Sequence, residues 1–459
     1  MTTWTPELGP TADPKYLALV EALHRDVESG RLPPGTRLPT QRQLANRLRI
    51  AIVTVSRAYT VAEQRGIVRG EVGRGTFVRR EDPSYREGSD ENAELIDLSR
   101  GRLVRPSDDP TLAQTLKLLA QRRDLHQLVD IYQPPHGMTR HRAAAAAWLK
   151  RFGLEVEAER VVITSGAQHG AAVLLAAMAR PGDLILTEEV TYSGITALAR
   201  LLQLRVQGLR MDQDGLLPAE LEAACQASSP RALFCMSTLQ NPTGRTMPLQ
   251  RRRELADIIQ RHRLTVLEDD VNGFLPAEPL PPIAAFAPDQ TFYITGTSKS
   301  LAPGLRIGYV VPPAAEMQRV SATMQTTTWF TAPLMAEIVT QWIESGQADE
   351  MAEWKRLETA ARHRLAREIL GPWLPASPVS FHLWMPLPEP WRAENFVSQA
   401  RTRGVVVNSP DEFLVGRETA PHAVRVCLGG GLTRGRLEDG LRRLAELLQT
   451  SPGLSAIVY

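Results

Sequence analysis

Apolar residues recur at helical spacing between Tyr16 and Val27, at Tyr16, Leu17, Val20, Leu23 and Val27, and Gly30 closes the run ahead of a Pro-Pro pair. Thr40 is placed to cap a short helix through Arg47 with Leu44 and Leu48 inward. After a turn at 49–51, a second helix reaches about Gln64 and offers Val53, Val55, Ala58, Tyr59 and Ala62 for packing. Beyond Gly66 the period falls to two. Ile67–Val68 and Thr76–Val78 read as short strands around a glycine-rich turn at 70–75.

The stretch 81–105, which includes EDPSYREGSDENAE, is polar, acidic and poor in apolar residues, as expected of a flexible linker. From about residue 106 the pattern changes again. VVIT at 161–164 precedes a helix starting near Ala167, LILTEE precedes another near Tyr192, and ALFCM and LTVLEDD have the look of buried parallel strands. Repeated strand–helix alternation predicts an α/β domain with a mainly parallel sheet. The pattern thus divides the chain into a small domain over 1–80, a linker over 81–105 and a large domain over 106–459.

Charge sharpens this division. Residues 1–80 hold 13 Lys+Arg against 7 Asp+Glu, and within 31–80 eleven arginines face only Glu63 and Glu71. The remainder is mildly acidic, so a polyanion is the expected partner of the front end alone. With 43% hydrophobic residues over 459 positions the chain is not a disordered one. No apolar run approaches the length of a membrane span, and the start MTTWTPELGP has no secretory pattern. Cys225, Cys235 and Cys427 are too scattered for a disulfide framework or a zinc site. The expectation is a soluble, cytoplasmic protein without a membrane partner.

Three helices followed by a β-ribbon make a winged helix-turn-helix. The string GTRLPTQRQLANRL…TVSRAYTVAEQRGIVRGEVGRGTFV resembles the DNA-binding domain of GntR-type regulators along its whole length, with Thr40 where serine is more usual. Arg37 and Arg42 sit beside a helix N-terminus, suited to phosphate or guanine contacts. Thr54, Ser56 and Arg57 lie near the front of the presumed recognition helix, and Arg74, between two glycines, suits a minor groove at the wing tip. Double-stranded DNA is the implied partner.

In the large domain chemistry concentrates at four places. TGTSKSLAPGLRIGY sets Lys299 between two serines with Arg306 seven residues on, a loop position with a cationic neighbour that suits an attacking amine. LQNPTGRTMP places Asn241 in a tight turn after a strand, and LEDDVNGF puts Asp269 at another strand end with Asp270 as the competing carboxylate. SGAQHG opens a helix with small residues whose N–H groups can hold a phosphate. His141, His169 and His382 show no metal-ligand spacing and read as satisfied or exposed.

Together these motifs resemble the class I/II aminotransferases of pyridoxal-phosphate fold type I, from Gly137 to about Leu448. The resemblance implies pyridoxal 5'-phosphate held as an aldimine by Lys299, with Asp269 on its ring nitrogen and Asn241 on its phenolic oxygen. It implies Gly166, Ala167, Gln168, Ser298 and Arg306 on the phosphate and Tyr192 stacked on the ring. Tyr132 would reach the neighbouring subunit's phosphate in a head-to-tail homodimer, and Arg425 would hold a ligand carboxylate. Two positions depart from the pattern. The tyrosine usual two or three residues after the aspartate is replaced by Val271 and Asn272, and the phosphate-binding serine three before the lysine is Gly296.

A GntR-like winged helix joined to an aminotransferase-like domain resembles the MocR family of bacterial transcription regulators. The implied function is a DNA-binding regulator that senses pyridoxal phosphate, or an amine or amino acid through an aldimine, with weak or no transaminase activity. An active aminotransferase carrying a DNA-binding domain, and a regulator whose pocket is vestigial, are the alternatives.

Overall fold

The computed structural model describes residues 4–6, 14–28, 31–32, 36–64, 67–71, 75–78, 95–101, 103, 109–416 and 421–450. The chain forms two compact units, residues 1–89 and 90–459.

In the first unit, helices α1 (Lys15–Glu28), α2 (Gln41–Leu48) and α3 (Ile52–Gln64) precede strands β1 (Val68–Glu71) and β2 (Gly75–Val78). The strands pair antiparallel, with Val68 opposite Val78 and Glu71 opposite Gly75. Thr40 caps α2 reciprocally: its hydroxyl accepts from the Gln43 N–H at 3.3 Å, and its own N–H donates to the Gln43 side chain at 3.0 Å. Leu19, Leu23, Leu44, Val55, Ala58, Tyr59 and Ala62 fill the core. Val53, expected inward, is 76% exposed. Two residues are some 200° of helix, so the phase that buries Val55 turns Val53 outward.

The second unit is built on a seven-stranded sheet. Its elements begin with β3 (Ile96–Asp97), α4 (Thr111–Ala120), α5 (Gln127–Asp130) and α6 (Thr139–Leu149). The sheet strands and their helices follow as β4 (Val162–Thr164), α7 (Ala167–Met178), β5 (Leu184–Glu188), α8 (Ser193–Leu201) and β6 (Arg205–Leu209). A hairpin of β7 (Met211–Asp212) and β8 (Gly215–Leu216) leads to α9 (Pro218–Ala227), β9 (Ala232–Cys235), α10 (Leu249–His262), β10 (Thr265–Asp269) and β11 (Thr291–Gly296). Then come α11 (Thr297–Ser300), β12 (Gly308–Val311), α12 (Met317–Thr327), α13 (Pro333–Glu344) and α14 (Gln347–Leu370).

The order across the sheet is β4-β12-β11-β10-β9-β5-β6, and all pairings are parallel except those of β12. Alternate residues serve opposite faces, as the pleat requires. Phe234, Leu267 and Ile185 pack with α7, α8 and α12, whereas Leu233, Val266 and Leu186 pack with α9 and α10.

A smaller layer closes the unit: β13 (His382–Pro386), α15 (Ala393–Thr402), β14 (Val405–Val406), β15 (Ala423–Cys427) and α16 (Arg434–Leu448). Here the linker expected over 81–105 needs correction. Its part 81–94 lies outside the described residues, but Ile96–Asp97 pairs parallel with Val405–Val406. Ile96 and Leu98 are fully buried, and a Cβ at Gly440 of α16 would come within 2.9 Å of the Ile96 side chain. Two buried side chains on alternate positions outweigh the polar surroundings that suggested a linker.

Candidate functional site

The carboxyl ends of β4, β5, β9, β10 and β11 converge on one cavity of about 400 Å³, the place where open α/β sheets bind ligands. At one end Gly166 takes φ +95° and starts α7 with no side chain capping it. The unmet N–H groups and the positive end of the helix dipole therefore face an open space. The Arg306 guanidinium lies 2.7 Å from where a Cβ on Gly166 would stand. Gly308 brings β12 equally close: a Cβ there would meet the Gly166 backbone at 2.5 Å and the Ala167 nitrogen at 2.7 Å. Ala167, Gln168 and Ser298 line this end, and the Gln168 amide donates to the Gly194 carbonyl at 3.1 Å. Gly296, the departure from the family pattern, lies here against Ala167.

Lys299 sits on α11, directly after β11, and its ammonium donates to the Gly101 carbonyl at 2.6 Å. Asp269 ends β10 and lines the cavity. Burial pushes its carboxyl up to about 7, opposed by the Val271 N–H that donates to it at 3.2 Å and by the Lys299 charge. Asp270 points the other way and accepts from the buried Tyr293 hydroxyl at 2.8 Å. The competition between the two carboxylates is thus decided by the pleat. Tyr192 lines the cavity, and burial followed by the Asp269 charge raises its hydroxyl. Asn272 also lines the cavity, with one N–H of its amide held by the Leu239 carbonyl at 3.0 Å.

Arg425, on β15, is held tightly. It donates to Asn408 Oδ1 at 2.8 and 3.2 Å, to Asn241 Oδ1 at 2.7 Å and to the Ser99 carbonyl at 2.9 Å, and it stacks on Phe413 at 4.5 Å. At least four of its five N–H groups are committed. With the Asn241 oxygen engaged, the amide NH₂ is the group that side chain has left to donate. Tyr132 is not among the cavity lining. It is 74% exposed and meets Trp329 edge-on, with ring centroids 4.7 Å apart.

Several cavity residues carried no sequence signal. Ser99, Arg100 and Gly101 belong to the supposed linker, yet they form a strap along the wall. Asn408 is the orienting partner of Arg425. His382 lines the cavity and shares a 3.1 Å hydrogen bond with the Gln240 carbonyl. Burial, helped by the Arg425 charge, drives it down to about 3, so it is neutral and donates. Among the described residues no cluster of metal-ligating side chains is found.

In the first unit Arg42 is exposed on the first turn of α2 and Arg37 is exposed before it. Thr54 and Ser56 are half-buried on α3, and the exposed Arg57 stacks its guanidinium 4.2 Å from the Tyr16 ring centre. Arg74 lies outside the described residues.

Fold and site together define a helix-turn-helix protein whose body is an aminotransferase-type domain. Residues 15–78 match the gntR family of bacterial regulatory proteins, and residues 93–444 match aminotransferase class I and II. YdeF of Bacillus subtilis, an uncharacterised HTH-type transcriptional regulator, is 32% identical over 449 residues, 97% of either chain. The chain therefore belongs to the GntR-type transcriptional regulators that carry a class I/II aminotransferase domain, the MocR architecture.

PdxR of Corynebacterium glutamicum, a pyridoxine biosynthesis transcriptional regulator, is 29% identical over 69% of each chain. PtsJ of Salmonella typhimurium, a vitamin B6 salvage pathway transcriptional repressor, is 26% identical over 89% of this chain and 93% of its own. An archaeal alanine:glyoxylate aminotransferase of 23% identity superposes with TM-score 0.71 over 78% of this chain and 91% of its own, which shows the fold.

The cofactor implied by this fold is pyridoxal phosphate, and the residues fit it. The uncapped start of α7 with Arg306 beside it is a cradle for a dianion. The buried Asp269 carboxyl suits a basic ring nitrogen, and the Lys299 primary amine lines the same cavity.

Proposed function

We propose that this protein is a cytoplasmic transcription regulator whose winged helix binds double-stranded DNA and whose body responds to pyridoxal phosphate and to an amine or amino acid. The observation that carries the proposal is the grouping of Lys299, Asp269 and the Gly166–Arg306 cradle around one cavity, in a chain that begins with a GntR-type module. The names of PdxR and PtsJ support vitamin B6 as one signal. Bound in the cavity, pyridoxal phosphate supplies an aldehyde that condenses with primary amines.

The chain's own groups then divide the work. Gly166, Ala167, Gln168, Ser298 and Arg306 hold the phosphate. Asp269 keeps a proton on the ring nitrogen, Asn241 donates to the phenolic oxygen, and Tyr192 covers the ring. Arg425, steered by Asn408, receives a carboxylate. The unit pairs head-to-tail with a second copy, which places Tyr132 at the neighbour's phosphate and presents two winged helices to paired half-sites.

The test is selection of duplexes from a random pool by the full-length protein, with and without pyridoxal phosphate, alongside visible spectra of the mixture. A visible band together with a selected sequence whose affinity changes with the cofactor is expected. Binding that is indifferent to salt overturns the DNA-binding part, and the absence of a visible band overturns the cofactor part.

A further inference from the structure

The front of α3 exposes aliphatic side chains where a soluble module gains nothing from exposing them. Ile52 is 45% and Val53 76% exposed, although Val55, Ala58, Tyr59 and Ala62 of the same helix are buried. Ala51, just before them, is exposed as well. The fold has therefore used α3's inner face completely and left an apolar tip on its outer face. Arg57 lies one turn on from Val53 on that outer face and is held against Tyr16. Arg42, Arg47 and Arg49 are exposed on and just beyond α2.

Aliphatic groups set among arginines need a partner that is anionic around its edge and apolar at one point. Duplex DNA offers that combination in the major groove. Its phosphates match the arginines, and the thymine C5-methyl is the apolar group displayed there. In helix-turn-helix proteins the N-terminal residues of the second helix are those that meet base edges. Resting on the DNA-binding reading above, we infer that Val53, with Ile52 beside it, packs on thymine C5-methyl groups and fixes a thymine at a set place in each half-site. Thr54 and Ser56, half-buried and polar, add hydrogen bonds without distinguishing thymine from uracil, since a hydroxyl pairs with either.

The size of the effect follows from burying one methyl, worth about fourfold in affinity. Reading two half-sites at once squares it, to roughly sixteenfold.

The experiment uses the full-length protein and duplexes selected from a random pool. Each thymine of the selected half-site is replaced in turn by deoxyuridine, which removes the methyl and leaves pairing unchanged. Wild type and Val53→Ser are titrated against every duplex. Since Val53 is exposed, the serine variant keeps its fold, which circular dichroism checks. At one position uracil should cost the wild type about fourfold per half-site and cost Val53→Ser little, and the variant should bind the thymine duplex as weakly as wild type binds the uracil one. The inference is overturned if no uracil matters, if the selected half-site holds no thymine, or if Val53→Ser keeps the full uracil penalty. Salt-dependent binding without any preferred sequence overturns it while the DNA-binding reading stands; no binding at low salt overturns both.

Discussion

Lys299 Nζ holds the carbonyl of Gly101 at 2.6 Å, and Arg425 holds the carbonyl of Ser99 in the same strap at 2.9 Å. The two cations best placed for ligand chemistry thus both spend donors on three residues that follow the connection to the winged helix. A ligand carboxylate gripped bidentately by Arg425 must displace at least one of Asn408, Ser99 and Asn241, because at least four of the five N–H groups are in use. Lys299→Ala removes the first anchor without any ligand present. Loss of a hydrogen bond from a charged donor is worth about 1.5–3 kcal/mol, so amide exchange of a peptide spanning 98–103 should rise by roughly tenfold or more. The same variant mixed with pyridoxal phosphate should lack the visible band that a lysine linkage gives. Unchanged exchange in this variant would show that the strap is held by other groups.

Asp269 gives a pH dependence whose sign is fixed. Its carboxyl stands near 7 in the folded protein against an ordinary 3.8, so between those values the native state binds more protons than the unfolded state. Stability contributed by this group is complete below about 3.8 and is lost as pH rises to about 7. Asp269→Asn should therefore stabilise the cofactor-free protein by an amount that grows across this window to the order of a few kcal/mol and then levels. Thermal melts from pH 4 to 8 test this. A constant difference between variant and wild type would mean that Asp269 is already ionised at the acid end. Glu188, which burial likewise raises to about 7, adds to the overall alkaline decline in both proteins.

Transamination should be slow. Val271 lines the cavity where family members usually offer a tyrosine hydroxyl, and one amide N–H of Asn272 is held by the Leu239 carbonyl. One missing hydrogen bond in a desolvated site is worth about 1–3 kcal/mol, a rate lower by roughly ten- to hundredfold if the bond strengthens in the transition state. Single-turnover conversion of the bound aldehyde to the amine form, followed by absorbance with a panel of amino acids, measures this. Rapid and complete conversion with any of them would favour a working enzyme.

Among the described residues, seven of the ten exposed large apolar side chains of the body fall in three segments. Leu112, Leu116 and Leu118 lie on α4, Val129, Ile131 and Tyr132 around α5, and Trp329 after α12. A second copy of the chain is the expected cover. Leu116→Glu combined with Trp329→Glu should shift the sedimentation of the full-length protein from dimer to monomer and weaken DNA binding through loss of effective concentration. A wild-type protein that already sediments as a monomer would remove the head-to-tail arrangement and the role given to Tyr132.

Local chemistry made much of this chain legible before folding was considered. Thr40 three residues ahead of Gln43 is a helix start in any context, and the apolar spacing of α1 and α3 needs only a helix period. Lys299, Asp269, Asn241 and Gly166 each stand at or shortly after the end of an apolar run, so the strand before them also announces the end of the sheet at which they sit. What stayed hidden depended on phase and on distant pairing. Val53 was apolar enough to read as core, but the outward phase of that position is set by Val55, Ala58, Tyr59 and Ala62. Asp269 and Asp270 are equivalent by composition, and only the sheet's position in the fold decides which face of the pleat is the cavity. Ser99 and Gly101 read as linker because their polar neighbours dominate the local pattern. They become a cavity wall only when Ile96–Asp97 pairs with Val405–Val406, and Asn408 becomes the orienting partner of Arg425 through a separate antiparallel bridge between those two residues. Which residues could do chemistry was legible locally, since side-chain type and period are properties of neighbours along the chain. Which of them meet was settled only on folding, because burial and hydrogen bonding among β3, β14 and β15 depend on contacts that no local pattern records.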